Sequence, residues 1–353
     1  MSAEQLAELS DLTVVAAVLL YVLGMVAFAT ELAFGRYVAG KKAATGAAAG
    51  AEGAALAAAK RPVAVGAAGA DGPEGATGVL DADAPADAPA DTVTGAAANA
   101  PAEAGQGGVT APSPLAARAG TVALALGWLG WAANLAAIIT RGLSAGRWPW
   151  GNMYEFVVAI CFAAVTAFLL TQLRHNVRFL GAFVMVTAAL GLGLASKVFY
   201  TAAGPVVPAL NSYWIAIHVT AAIIASGLLT LAGVAGVLYL VRGEGMSRLP
   251  AREDLERVAH RAIVFAFPLW TFAVIAGALW ADRAWGRYWG WDPKEVWSFI
   301  TWVAYAAYLH ARVTAGWRGK AATVVQLVAF GCLMFNLIGV NIFISGLHSY
   351  ADV

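Results

Sequence analysis

What most limits this chain is a recurrence of apolar runs, each about 20 residues long, the length a helix needs to cross the hydrocarbon core of a bilayer. Eight such runs can be read, at approximately 12–34, 115–140, 154–173, 177–197, 213–241, 260–281, 294–312 and 321–345. In hydrocarbon every backbone N–H and C=O must be satisfied within its own segment, so runs of this length specify helices. Composition agrees, because only 12% of the 353 residues are charged and 60% are hydrophobic. A soluble domain carries about 25% charged residues. The expected fold is therefore all-α, a polytopic integral membrane helical bundle with about eight transmembrane helices. Pro268 inside the sixth run is expected to kink it. The N-terminus lacks a basic n-region, so the first run reads as a retained helix and not a cleaved signal peptide.

Basic residues set the expected orientation. If the N-terminus is outside, the inner segments carry sixteen of the Lys and Arg residues and the outer segments six. That asymmetry predicts an N-out/C-out topology in the cytoplasmic membrane. Residues 36–114 are different material, rich in Ala, Gly and Pro, with an acidic patch at Asp81, Asp83, Asp87 and Asp91. With almost nothing large to bury, the segment reads as a disordered cytoplasmic linker between a first helix in 1–35 and a membrane domain at 115–353. A net charge of +1 gives no reason to expect nucleic acid as a partner. Cys161 and Cys332 lie inside apolar runs and read as buried helix residues.

Between the sixth and seventh runs, at 282–297, lies an extracytoplasmic loop by this topology. It contains Trp285, Tyr288, Trp289, Trp291 and Trp297, with Gly286 and Gly290 between them. One or two Trp would suit a membrane interface without further account. Four, hinged by glycines, suit a surface that lays rings against something flat. The same stretch carries a helix start: Asp292 to cap, Pro293 for the first position, and Glu295 to close a capping box. Asp292 and Lys294 are thus placed either for capping or to meet charged groups of whatever the loop holds. A second aromatic loop runs from Trp148 to Glu155, with Asn152 and Glu155 as loop or cap residues.

Five histidines are present. His175 sits in a short basic turn, and His260 opens the sixth run among Arg residues; neither reads as a ligand. His218 is near the outer end of the fifth run, and His348 follows the eighth, so both reach the level of the Trp-rich loop. His310 lies roughly 25 Å below that loop along the seventh run, at 1.5 Å per residue. Ionisable side chains inside a membrane usually face a bundle interior or cavity, and each histidine alone could be a hydrogen-bonded core residue. Together, His218, His348 and a wall of indoles match the two axial nitrogens and apolar box of a bis-His haem. Structural zinc would need further Cys or His ligands at that level, and copper would need Met or Cys. A quinone-linked cytochrome b stacks haems between His pairs within the bundle, whereas here only His310 lies well inside. A plain multi-span protein with an aromatic belt leaves the paired outer histidines unexplained. Asn341 in the last run is expected to make an interhelical hydrogen bond.

The block Trp285-Gly286-x-x-Trp289-x-Trp291-Asp292-x-Lys294-Glu295 resembles the signature of the haem-handling protein superfamily. Asn152-Met153-Tyr154-Glu155, Ile217-His218-Val219, Tyr308 to Arg312, Gly339-Val340-Asn341 and Gly346 to Tyr350 resemble its CcsA/ResC branch, in the system II cytochrome c assembly pathway (labelled CcsB in some bacteria). The likeness covers about 115–350, and the 36–114 segment departs from it. It implies a ResB-type membrane partner, with which haem b is received across the membrane. The haem is then presented outside for thioether attachment to Cys-x-x-Cys-His of apocytochrome c. It implies that His218 and His348 are external axial ligands, that the haem is held by Trp285, Trp289, Trp291, Trp297 and Asp292, and that His310 is one ligand of an intramembrane haem. Thiol-reducing membrane proteins are implied as neighbours. On that reading the chain is part of a haem lyase, or else a haem transporter and chaperone whose cargo another component ligates.

Overall fold

The computed structural model describes residues 1–35, 113–206, 210, 212–243 and 249–348, which belong to one compact unit. The linker expectation for 36–114 lies almost wholly outside them. The described residues are helical, without a strand. We number the helices α1 (Ala3–Phe34), α2 (Pro114–Ala145), α3 (Met153–Arg174), α4 (Gly181–Val198), α5 (Tyr213–Val241), α6 (Arg252–Trp285), α7 (Pro293–Thr314) and α8 (Gly319–Met334). A short 3-10 turn, Arg178–Leu180, leads into α4, and α8 runs through a π turn, Phe335–Gly339, into a last α turn, Val340–Phe343.

Seven of these segments are long and apolar enough to cross a membrane, and the chain is a multi-pass membrane protein. The exception is α7, which has the length, at 22 residues, but mixes Tyr, Trp, Thr and His among its aliphatics. Two boundaries move outward from the apolar runs. α1 starts at Ala3 because Ser2 and Gln5 close a capping box. α6 spans Arg252–Trp285 and not 260–281, and it is continuous through Pro268. Glu253 and Asp254 in its first turn complement the helix dipole, so a charged stretch that looks like loop is helix.

Packing follows the distribution of large side chains. α3, α4 and α5 form the centre, with Phe168, Leu180, Met185, Leu192, Leu229 and Leu231 buried. α1 lies along α2 and turns Leu12, Leu19 and Val26 outward, as expected where lipid tails replace water. α6 packs along α5, and one indole from each helix stitches α6 to α7: Trp270 Nε1 donates to Ser298 O at 3.2 Å, and Thr271 accepts from Trp302 Nε1 at 2.9 Å. α8 ties to α5 through Gln326 Nε2, which donates to Ala232 O at 2.6 Å. Buried amides of this kind find partners between helices because hydrocarbon offers none. Asn341 departs from expectation, since its Nδ2 donates to Leu337 O one turn back in its own segment, at 2.6 Å.

The second aromatic loop is anchored by charge. Asn152 caps α3 by accepting from Glu155 N at 2.9 Å. The Glu155 carboxylate, 2% exposed, accepts from Arg141 Nε at 3.1 Å, from Arg147 Nη1 at 2.8 Å and from Gly151 N at 2.8 Å. Two guanidiniums on one buried carboxylate hold the end of α2, the loop and the start of α3 as one block.

Candidate functional site

At the end of the bundle that carries the Trp-rich loop, α5, α6, α7 and the chain after α8 surround a partly open cleft of about 120 Å³. His218 and His348, 130 residues apart in sequence, both line it. His218 comes from the second turn of α5. Its Nδ1 lies 2.8 Å from the carbonyl of Ala273 on α6. A carbonyl only accepts, so Nδ1 carries the proton and Nε2 the lone pair. The approach of α6 that allows this needs Gly277, where a Cβ would stand 2.7 Å from Cε1 of His218.

His348 is oriented from the other side. Its Nδ1 lies 2.8 Å from Asp292 Oδ2, so the carboxylate accepts from the ring and, in the neutral ring, the lone pair is again on Nε2. Asp292 does more than cap. Oδ2 also accepts from Lys294 N at 3.2 Å, and Oδ1 accepts from Leu347 N at 2.7 Å. One carboxylate thereby fixes the start of α7 and the segment that delivers His348. Burial alone would raise its pKa, but the hydrogen bonds from His348 and from the Leu347 and Lys294 amides prevail and hold it below the ordinary 3.8. The capping box is complete, with Glu295 Oε2 accepting from Asp292 N at 3.1 Å and from Gly290 N at 2.8 Å.

Of the indoles singled out from sequence, the structure brings two to the histidines. Trp285 stands edge-on to His348, with ring centroids 4.9 Å apart, and Trp289 lines the cleft. Trp291 meets Trp289 at right angles, 5.9 Å away, and is otherwise exposed. Trp297 packs on Phe335 of the π turn at 4.2 Å and does not line the cleft. Asp292 likewise reaches the cleft only through His348. His310 is elsewhere, exposed on α7, with Nδ1 3.4 Å from Thr314 Oγ1.

The residue that sequence reasoning missed is Trp280. It is 2% exposed, parallel to His218 within 7° at 6.2 Å, 5.7 Å from His348, and edge-on to Trp285 at 4.7 Å. Its signal was available, because Trp270, Ala273, Gly277 and Trp280 recur every three or four residues and so share one face of α6. The cleft thus holds two imidazoles with defined lone pairs against aromatic walls, and Lys294, Glu295 and Asn336 on its rim or floor. Among the described residues no group of three or more His, Cys, Asp or Glu could hold a bare metal ion.

The fold and the site define a multi-pass helical membrane protein with two imidazoles and aromatic walls gathered in a cleft at one end. Comparison with known proteins narrows the class. The sequence profile described as Cytochrome C assembly protein matches residues 150–348, a stretch that contains both cleft histidines and Trp280, Trp285 and Trp289, and the chain belongs to that family. Proteins described as cytochrome c biogenesis protein CcsA are similar to it. The one from Synechococcus elongatus is 32% identical over 287 residues, covering 65% of this chain and 86% of that protein. The one from Chlamydomonas reinhardtii is 33% identical over 224 residues, covering 60% and 64%. The one from Microcystis aeruginosa is 30% identical over 303 residues, covering 69% and 90%. The chain's role therefore lies in cytochrome c biogenesis, which involves haem and apocytochrome c.

Proposed function

We propose that the cleft receives haem b as substrate, with His218 and His348 as axial ligands through Nε2, and presents it on the extracytoplasmic side for attachment to apocytochrome c. The observation that carries this reading is the matched pair of second contacts. Each imidazole is held at Nδ1 by an acceptor, Ala273 O or Asp292, and both residues line the same aromatic cleft. Carboxylate or carbonyl support of this kind fixes the tautomer and ring angle of a metal-binding His.

In the reaction each cysteine S–H of the apocytochrome adds across a haem vinyl: sulfur bonds to one vinyl carbon, the proton ends on the other, and no electrons change hands overall. The substrate brings the nucleophile, so the chain's contribution is to hold the porphyrin plane, exclude water with Trp280, Trp285 and Trp289, and orient the vinyl edge. The histidine of Cys-x-x-Cys-His then replaces one of the two imidazoles and releases the product. A ResB-type partner fits the exposed face of α7, where His310 lies in line with Phe299 and Val303. An exposed imidazole beside exposed apolar side chains on one face of a bundle helix is costly within a membrane unless another protein meets it.

The test is the visible spectrum of the protein purified with its partner. His218→Gly and His348→Gly should each lose the low-spin haem signal, and added imidazole, filling the vacated volume, should restore it. Two single variants that keep wild-type spectra and mature cytochrome c normally would refute the ligand assignment. Reconstitution with an apocytochrome peptide, with and without the partner, separates a lyase from a carrier.

A further inference from the structure

The cleft holds a second device beside the histidines. Lys294, the second residue of α7, turns its side chain into the cleft, and Nζ donates to the backbone carbonyl of Asn336 at 2.8 Å. That carbonyl belongs to the π turn, whose wider pitch re-aims carbonyls away from the regular α ladder. No ion pair to Lys294 is present among the described residues. The two nearest carboxylates in sequence are committed elsewhere, Asp292 to His348 and two amides, Glu295 to the Gly290 and Asp292 amides. Beside it, the side chain of Asn336 is 4% exposed, lines the same cleft, and has Oδ1 buried with no hydrogen-bond partner. An ammonium with two unused donors and an unpaired amide, together inside an apolar cleft, form an incomplete site, because buried polar groups are costly until paired.

We infer that Lys294 and Asn336 form a carboxylate subsite that takes one propionate of the porphyrin. The inference rests on the haem reading above and extends it. The ammonium supplies charge and two donors, and a flip of the Asn336 amide exchanges Oδ1 for Nδ2 at the unpaired position, so that Nδ2 donates to the same carboxylate. Both propionates of haem b are on one edge of the ring and both vinyls on the opposite half. A propionate pinned at the α7–α8 seam therefore sets the rotation of the ring about the axis through the two imidazoles, and turns the vinyl half away from the seam. Lys294 is a positioning residue in this scheme: it selects which edge of the substrate meets the incoming thiols.

The experiment compares haem b with its dimethyl ester, which has the same iron, ring and vinyls but no carboxylate charge. The full chain is titrated with each, and binding is followed by the Soret band. The wild type is expected to prefer the diacid by about 10- to 100-fold, the range for a charged hydrogen bond in a cleft. Lys294→Gln should bring that ratio close to one while leaving dimethyl ester affinity unchanged, and Lys294→Arg should keep the preference. Asn336→Asp, which adds a like charge, should abolish or invert it. Equal wild-type affinity for the two ligands would overturn the inference, as would a Lys294→Gln variant that weakens both alike. If neither ligand gives a low-spin spectrum that depends on His218 and His348, the haem reading itself fails.

Discussion

Asp292 performs two tasks that one substitution can separate. As N-cap of α7 it accepts from Lys294 N, and as partner of His348 it accepts from Nδ1 at 2.8 Å. Asn caps a helix about as well as Asp, so Asp292→Asn should leave the melting temperature within the change expected for about 1 kcal/mol. It cannot do as well by His348. The amide has one acceptor oxygen where the carboxylate uses two, and its NH2 would face an N–H from Leu347 or from the imidazole. Loss of such a second contact typically costs 10- to 100-fold in metal affinity, so we expect haem Kd to rise by about that factor, or about 1.4–2.7 kcal/mol. The carboxyl's depressed pKa adds a pH signature. A group held below its unfolded value stabilises the fold above that value and stops doing so as pH falls through its folded pKa. Wild type and Asp292→Asn should therefore keep a constant difference, within that 1 kcal/mol, at neutral pH and draw together only as pH falls below the ordinary 3.8 toward the lower folded pKa. The assay is haem titration by Soret absorbance beside a thermal melt in the same detergent. In a His348→Gly background without added imidazole, Asp292→Asn should have no further effect on Kd. A variant that melts early with unchanged Kd, or one that still weakens haem in that background, would refute the argument that Asp292 acts through His348.

Two other positions give contrasting outcomes. Gly277→Ala should favour α6 by about 1 kcal/mol on helix propensity, yet its Cβ would lie 2.7 Å from His218 Cε1. The expected result is a protein at least as well expressed that has lost tenfold or more in haem affinity; a wild-type titration would show that α6 yields at no cost. Glu155→Gln leaves Arg141, 2% exposed, without its counter-charge. Breaking a buried pair from one side costs about 3–5 kcal/mol, so this variant should show a large drop in melting temperature and yield although Glu155 does not itself line the cleft.

The membrane bundle was legible because helix length is dictated by bilayer thickness, and seven of the eight expected spans answer to that criterion. Boundaries were less legible. Hydropathy sees the apolar middle of α1 and α6 and not the capped or charged turns at Ala3 and Arg252. The two cleft histidines could be assigned to one level from the sequence, since one lies near the start of the fifth run and the other just past the end of the eighth, which an alternating topology puts on the same side. Their orienting contacts could not. The Asp292–His348 pair spans 56 residues, and the Ala273 carbonyl has no side-chain signature. Trp291 and Trp297 were grouped with Trp285 and Trp289 by proximity, but chain geometry sends the four rings in different directions. The π turn at Phe335–Gly339 has no propensity signal, although it supplies the carbonyl that Lys294 reaches.

Trp291 explains why the Trp-rich segment is built as it is. Its φ is 58°, the left-handed region, which is strained for a bulky residue; such a conformation costs about 1–3 kcal/mol and persists only where the surroundings enforce it. The enforcement is visible on either side. With Trp291 in that conformation the amides of Gly290 and Asp292 converge on a single oxygen of Glu295, a small anion nest of successive N–H groups. The same turn drives Asp292 inward, to 7% exposure, and throws the Trp291 ring outward, to 68%. Relaxing it would thus undo the Glu295 contact and the His348 support together. The strain at one indole is coupled through two hydrogen bonds to the orientation of an imidazole, and this is why the aromatic loop and the capped helix that follows act as one rigid part.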